Sequence, residues 1–333
     1  MFNVLPARIL GTGHALPKTE KLSTDFDHCL NLNCGHLEQA TGVIARRICT
    51  NESQIDLAVQ AARIALDDAG INLNDIDLVI GASGLPYQAL PSTAPLIMRE
   101  LGMNDGSAQA FDVNSTCLSF VTALDIAATR IAMGRARMVL VVSSEVASKT
   151  LPWSTQPEVA ALFGDGAGAA ILTTATPGQG CIRASMMCTY PSAYEASSIA
   201  SGGTRIDFHT RPEEFAQNAV FHMDGTALFR VTHRHFSGFV DDLLQCAGWN
   251  QGDVDLIVPH QASPIALEHM IRSIGLDTQK VVNIASHLGN QIAASIPTAL
   301  DIARKDGRIC KGTRLLILGT SAGVSFGGMA IEV

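Results

Sequence analysis

Three side chains have types and settings that could do chemistry: Cys117, His260 and Asn290. Cys117 stands in AFDVNSTCLSFVTALDIA (110–127), where Ala110 to Val113 reads as a short strand end and Leu118 onward as a helix. A thiol at such a turn lies near the positive end of the helix dipole, which stabilises thiolate and lowers the cysteine pKa. A nucleophile with a depressed pKa fits this placement, and so does an inert core cysteine. His260 ends DLIVPH (255–260), just past an apolar strand, where open α/β sheets place their ligands. A capping or hydrogen-bonded structural histidine fits the same pattern. Asn290, in HLGNQIAAS (287–295), follows a glycine and precedes a helix, so turn or cap chemistry competes with a donor role.

The elements that must position these residues come in duplicate. TALDIA occurs at 122–127 and again at 298–303, followed by GRARMVLVV (134–142) and GTRLLILGT (312–320). Each copy reads as an amphipathic helix leading through a glycine into a buried strand. A second ordered pair, AGINLNDIDLVI (69–80) and AGWNQGDVDLIV (247–258), places Ala-Gly at a helix end and an Asp-aliphatic-Asp-Leu step at a strand start. Buried strands alternating with helices predict an α/β architecture in two related halves, 1–174 and 175–333, divided at the turn-rich ATPGQG (175–180). Residues 189–222 have weak periodicity and read as an insertion over the sheet that lines a pocket. Cys117 and Asn290 precede equivalent helices, and equivalent places in two related halves can meet at a pseudo-two-fold axis.

A chain of 333 residues fits two ordinary domains. Hydrophobic residues make up 47% and charged residues only 16%, against about one quarter in typical soluble domains, so a large core or subunit interface is expected. That composition excludes a disordered chain. The net charge of −8 and 5% aromatic content argue against nucleic-acid binding. Apolar runs such as Met138 to Val142 are far too short to span a bilayer, and MFNVLPARIL has no export signal. Eight cysteines without a Cys-x-x-Cys pair suit a reduced, cytoplasmic protein, and Cys29 with Cys34 has no second pair at zinc spacing. Histidines 14, 36, 233, 235 and 269 form no ligand-like cluster beyond His233-Arg-His235, which reads as a helix edge or pocket wall, so no metal is expected.

Three glycine-rich stretches fail as cofactor or hydrolase motifs. GTGHAL (11–16) lacks the third glycine, and GDGAGA (164–169) leads into a strand with Asp165 where pyrophosphate would sit. GTSAG (319–323) matches a nucleophile elbow, but only VSFGGMAIEV follows, without the histidine that hydrolases need downstream.

TGVIARR (41–47), FDVNSTCLSF (111–120), LFGDGAGAAIL (162–172), VPHQAS (258–263), GNQIAASIPTALD (289–301) and GTSAGVSFGG (319–328) occur in order along nearly the whole chain. As a set they resemble the thiolase-like condensing enzymes, most closely the 3-oxoacyl-acyl-carrier-protein synthase III group. The resemblance implies a duplicated five-layered αβαβα sandwich, a homodimer, and no cofactor beyond coenzyme A or carrier-protein phosphopantetheine thioesters as substrates. It implies that Cys117 takes the acyl group, while His260 and Asn290 hold the oxygen of a malonyl thioester that decarboxylates to an enolate. The backbone N–H groups of Cys117 and the loop around Gly323 would form a second oxyanion hole. Two neighbouring functions share the motifs: an acyltransferase or non-decarboxylating condensing enzyme using the same acyl-Cys117, and a non-catalytic partner subunit, which typically loses triad members.

The sequence departs from the family pattern around the substrates. His36 stands where relatives carry a tryptophan that stacks on adenine, and Ala40 replaces an arginine. TLPWSTQPEVAA (150–161) has no counterpart of a further nucleotide-binding arginine, with Trp153 as the candidate stacking surface. Ile265 occupies the carrier-docking arginine position, leaving Arg272 as the nearest candidate, and Gln291-Ile292 replaces Thr-Ser. Leu90, in a segment that lines the acyl pocket in relatives, is smaller than the phenylalanine of short-chain enzymes and predicts a pocket admitting more than acetyl. Donors carried on acyl carrier protein, or a specialised pathway, become favoured over the standard acetyl-coenzyme A primer.

Overall fold

The structure, a computed structural model, describes residues 4–333. Five strands form the first sheet: β1 (Ala7–Ala15), β2 (Leu78–Gly81), β3 (Gln109–Asp112), β4 (Met138–Glu145) and β5 (Gly166–Thr174). Four form the second: β6 (Ile182–Thr189), β7 (Leu256–Pro259), β8 (Arg314–Ser321) and β9 (Ser325–Glu332). The orders are β1-β5-β4-β2-β3 and β6-β9-β8-β7. Each sheet has parallel pairing at one end (β2 with β3 and β4; β7 with β8) and antiparallel pairing at the other. A lone parallel bridge from Ile257 to Val281 stands where the second sheet would carry its fifth strand. The sheets are therefore mixed copies of one topology.

The repeated sequences build repeated local structure. Gly70 and Gly248 end their helices in the left-handed conformation, at φ 65° and 71°. Asn72 and Asn250 then open short turns in which the Asp75 and Asp253 carboxylates accept the asparagine N–H at 2.9 and 2.8 Å. These are reciprocal caps that satisfy otherwise orphaned donors. Asp77 and Asp255 each accept a backbone N–H at the start of the neighbouring strand, from Arg137 and Arg314, both at 2.9 Å.

Six longer helices complete the sandwich: α1 (Gln54–Ala69), α2 (Thr93–Leu101), α3 (Ser119–Ala132), α4 (Gly225–Ala247), α5 (Pro264–Ser273) and α6 (Ser295–Lys305). Alternate strand residues face opposite layers, as the two-residue period of a strand requires. Leu78, Ile80, Val139 and Val141 pack with α3, α6 and, from the second sheet, Val258, Leu315 and Ile317. Val79, Leu140 and Val142 face α1 and α2 on the outside. Ile257, Leu316 and Leu318 face α4 and α5 on the opposite outside. The layers run helix, sheet, helix, sheet, helix. With both faces of both sheets covered, the low charged fraction follows.

The 189–222 segment forms a short helix, Pro212–Gln217, and a two-residue strand pairing of Ser197–Ser198 with His222–Met223. One of its residues, Phe221, reaches the interior and meets Phe163 edge-on at 5.2 Å.

Close approach of α6 to β5 depends on Gly168, where a Cβ would lie 2.7 Å from Pro297 Cβ and 2.8 Å from the Thr298 nitrogen. Backbone on that side cannot yield cheaply, so Gly168→Ala should destabilise the fold by about 1–3 kcal/mol. A lowered urea midpoint with an unchanged slope would register it; an unchanged midpoint would mean the helix moves away freely.

Candidate active site

Two turns of identical design open the central helices. Before α3, the Ser115 N–H donates to Ser119 Oγ at 2.9 Å and the Thr116 N–H to Asn114 Oδ1 at 2.9 Å. Before α6, the Gln291 N–H donates to Ser295 Oγ at 3.0 Å and the Ile292 N–H to Asn290 Oδ1 at 2.8 Å. Thr116 and Ile292 both occupy the left-handed region, at φ 52° and 49°, a strained setting for side-chain-bearing residues and for β-branched ones above all. The counterpart of Asn290 is thus Asn114, and that of Cys117 is Ala293. Cys117 and Asn290 stand ahead of equivalent helices but three residues apart in the repeat.

The two asparagines differ in what their amides hold. Asn114 Nδ2 donates to the Gly84 carbonyl at 3.1 Å. Asn290 Nδ2 reaches only the Ala262 carbonyl at 3.5 Å, a weak tether that leaves the amide free to donate elsewhere. Ala262 lies two residues beyond His260, so Asn290 sits against the histidine loop. That loop is stiffened by the buried Gln261, which donates to the Pro259 and Val282 carbonyls and accepts from Ile284 and Ala285. His260 is itself buried, and its Nδ1 has no partner. Burial pushes its pKa down to about 4, so the imidazole is neutral at physiological pH. At Gly319 a Cβ would lie 2.8 Å from Leu118 Cδ2 and 3.3 Å from His260 Cβ, which brings the histidine up to the Cys117 turn.

Cys117 lies in an apolar cluster with Leu85, Leu151, Val159, Leu162, Phe163, Phe221, Ile292 and Ala293. Its own N–H and that of Ala322 are directed at the sulfur, while the nearby Ser321 hydroxyl spends its proton on the Ser115 carbonyl at 2.8 Å. The expected depression of its pKa does not occur. Burial first, and the negative charge of Glu145 second, push the thiol up to about 12. These outweigh the N–H groups and the dipole of α3, so the resting side chain is a thiol. The glycine-loop N–H facing the sulfur belongs to Ala322; Gly323, the expected donor, follows it with φ 132°.

Two family models match in chain order: 3-oxoacyl-(acyl-carrier-protein) synthase III over residues 111–190, and the C-terminal part of the same synthase over 244–333. A beta-ketoacyl-(acyl-carrier-protein) synthase III of Neisseria meningitidis is 34% identical, with 98% of this chain and 99% of the relative covered. The chain belongs to the 3-oxoacyl-(acyl-carrier-protein) synthase III family. Among solved structures, the synthase III of Aquifex aeolicus superposes with a TM-score of 0.88 at 30% identity, covering 98% of this chain and all of that one. The priming beta-ketosynthase of the R1128 polyketide pathway gives 0.89 at 28%, covering 100% and 98%. This synthase III relative is an acyltransferase-type condensing enzyme with the thiolase-like fold.

The residues expected at the substrate mouth are differently employed. His36 Nε2 pairs with Glu158 Oε1 at 2.9 Å across two short helices. Trp153 stacks on Phe26 at 4.3 Å between centroids with planes 6° apart, so that face of the indole is already covered. The buried Arg46 guanidinium sits 5.1 Å from the Phe26 ring centroid. Arg272 pairs with Glu268 at the exposed end of α5. Leu90 is 85% exposed, and Leu85, five residues earlier, packs on the same apolar cluster as Cys117. No described residues form a metal-binding group, and no described helix is long and apolar enough to cross a membrane.

Sequence reasoning missed Ala322 at the sulfur and Leu85, Phe163 and Phe221 in the surrounding apolar cluster, which carry no chemical signature and come to Cys117 only through the fold. It also missed Glu145, whose isolation in the apolar run MVLVVSSEV was a readable signal. A resting thiol with a pKa near 12 makes a kinetic prediction. Alkylation of Cys117 by iodoacetamide should be slow at pH 7 and climb to about pH 10 without a plateau. A plateau at neutral pH, read by intact mass against Cys117→Ala, would show that thiolate already exists at rest.

Proposed function

We propose that this synthase III relative forms a 3-oxoacyl thioester in two steps on Cys117. The Cys117 thiol gives up its proton as its sulfur attacks an acyl thioester, the donor's C–S bond breaks, and the departing donor takes that proton and leaves as a thiol. A malonyl thioester then loses carbon dioxide, and its enolate carbon attacks the acyl-Cys117 carbonyl. The bond to sulfur breaks and Cys117 returns as thiolate. The observation that carries this reading is a neutral, buried His260 beside an Asn290 whose amide is only weakly engaged. Two neutral donors stabilise an enolate oxygen as charge develops, without giving the carbanion a strong acid to quench it. The N–H groups of Cys117 and Ala322 suit the oxyanion of the acyl-transfer step.

The donor is an acyl group on carrier-protein phosphopantetheine in preference to coenzyme A. Where family members hold the nucleotide, Trp153 is stacked on Phe26 and His36 is engaged by Glu158, and neither arginine is present. The working form is a cytoplasmic homodimer. β3 is an edge strand with free backbone groups, and the nearly naked Leu90 needs an apolar cover that a second copy would supply. In that arrangement Leu90 lines the partner's acyl pocket.

Intact-protein mass spectrometry after mixing with matched acyl-carrier proteins and acyl-coenzyme A thioesters should give an acyl adduct in the wild type and none in Cys117→Ala. Faster loading from the carrier supports the donor assignment, and faster loading from coenzyme A overturns it. Asn290→Ala should still acylate but lose about a hundredfold or more in malonyl decarboxylation, the cost of one oxyanion donor at about 3 kcal/mol. Undiminished decarboxylation in that variant would remove Asn290 from the chemistry.

A further inference from the structure

Glu145 ends β4 as a fully buried carboxyl that the two-step reaction does not use. Its Oε1 accepts the Gly84 N–H at 2.5 Å and its Oε2 the Leu85 N–H at 3.0 Å. The Ala293 N–H, from the turn that opens α6, is directed at the same carboxylate. The Gly84–Leu85 step is held on its other side too. Asn114 Nδ2 donates to the Gly84 carbonyl at 3.1 Å, and Gln54 Nε2 to the Leu85 carbonyl at 2.8 Å. Every backbone polar group of this dipeptide is therefore taken by a side chain. Gly84 fits between the two strained turns, since a Cβ there would lie 2.8 Å from Ile292 Cγ2 and 3.3 Å from the Thr116 carbonyl carbon. Leu85 and Cys117 pack against one apolar wall made of Ala147, Phe163, Ile292 and Ala293.

We propose that Glu145 is a positioning residue of the condensing site, fastening the Gly84–Leu85 step to both helix-opening turns so that the apolar wall, Cys117 and Asn290 keep one fixed spacing. This rests on Cys117 being the nucleophile. Buried carboxyls are costly, and one at this point is sustained only by the three N–H groups it gathers. Burial outweighs those donors and raises the Glu145 pKa to about 8, with Asp165 adding to the rise. Cys117 and Asp165 are the titratable groups facing it; behind Asp165 stand Cys49, Glu52 and Lys149, and His260 approaches Cys117 from the second half. Once Glu145 loses its proton, its charge holds the proton on Cys117 more firmly, so the two titrate as a pair.

The test compares Glu145→Gln and Glu145→Asp with the wild type, and with Cys117→Ala as the blank. Removing the charge should leave iodoacetamide alkylation of Cys117 unchanged below about pH 7 and make it several-fold faster above about pH 9, up to about tenfold for one pKa unit of coupling. Glu145→Asp keeps the charge but draws it back by a methylene, so its alkylation profile should stay closer to the wild type. Both variants should load acyl groups about tenfold or more slowly, an expectation of the positioning role. A residue needed only for folding would slow alkylation at every pH in step with a lower melting temperature. A Gln-to-wild-type ratio that is flat across pH, or wild-type acyl loading in both variants, overturns the proposal. If Glu145→Gln does not fold, Glu145→Asp decides: acyl loading slowed about tenfold at an unchanged melting temperature supports the positioning role, and wild-type loading overturns it. Turnover surviving in Cys117→Ala would instead overturn the underlying reading of Cys117, whatever Glu145 does.

Discussion

Two helices packed between two sheets constrain everything else in the molecule. α3 and α6 are covered on both sides, so their buried residues are mostly apolar, with alanine the commonest, and their first turns open inside the protein. A helix start leaves N–H groups without intrahelical partners, and burial of such groups without partners is expensive. Ser119 and Ser295, with Asn114 and Asn290, are the answer in each half, and the left-handed Thr116 and Ile292 are the strain that accompanies it. The reacting groups stand on these two turns or against them. Duplication supplies two similar turns, and divergence within them supplies a cysteine in one, an alanine at its counterpart, and a loosely tethered asparagine in the second.

Electrostatics follow from the same burial. Glu145 and Asp165 are carboxyls in a region without a paired cation, each met by backbone N–H groups, and both have pKa values above the ordinary range because desolvation wins. The same desolvation keeps His260 neutral and Cys117 protonated. A thiol in this state reacts slowly with electrophiles at neutral pH. In the proposed reaction, reactivity comes with the substrate, whose carbonyl oxygen the Cys117 and Ala322 N–H donors would meet. Neutral donors at His260 and Asn290 fit an enolate, which a charged imidazolium would protonate.

Away from the reacting turns, aromatic and charged groups pack against one another. Arg46, Phe26 and Trp153 form a column in which a buried guanidinium, its pKa lowered to about 10 by desolvation, sits by a ring that in turn covers an indole. Phe26 comes from a short N-terminal helix, Ser23–Cys29, and Trp153 from the segment after β4, so the column ties separate pieces of the mouth together. The His36–Glu158 pair spans the neighbouring short helices and is exposed, which makes it a weak and salt-sensitive latch. Aromatic surface in this column packs against protein, which is why Trp153 differs from a free stacking platform.

Alternation of apolar and polar residues, glycine punctuation and two repeated segments were enough to read the α/β class, the duplication and the helices that follow Cys117 and Asn290. These are local properties, fixed by the period of a strand or helix and by the φ that glycine permits. The motifs around Cys117, His260 and Asn290 were legible for the same reason: each lies on one turn and needs only its neighbours. What lies across the fold was not legible. That Ala322 faces the sulfur, that Leu85 packs on the same apolar cluster as Cys117, and that Trp153 is covered by Phe26 are all contacts between distant segments. The thiol's protonation was beyond the sequence for a related reason. The helix dipole is a local effect and could be read from the chain. Desolvation and the charge of Glu145 act on Cys117 only once the sheets close around the turn, and there they outweigh the dipole.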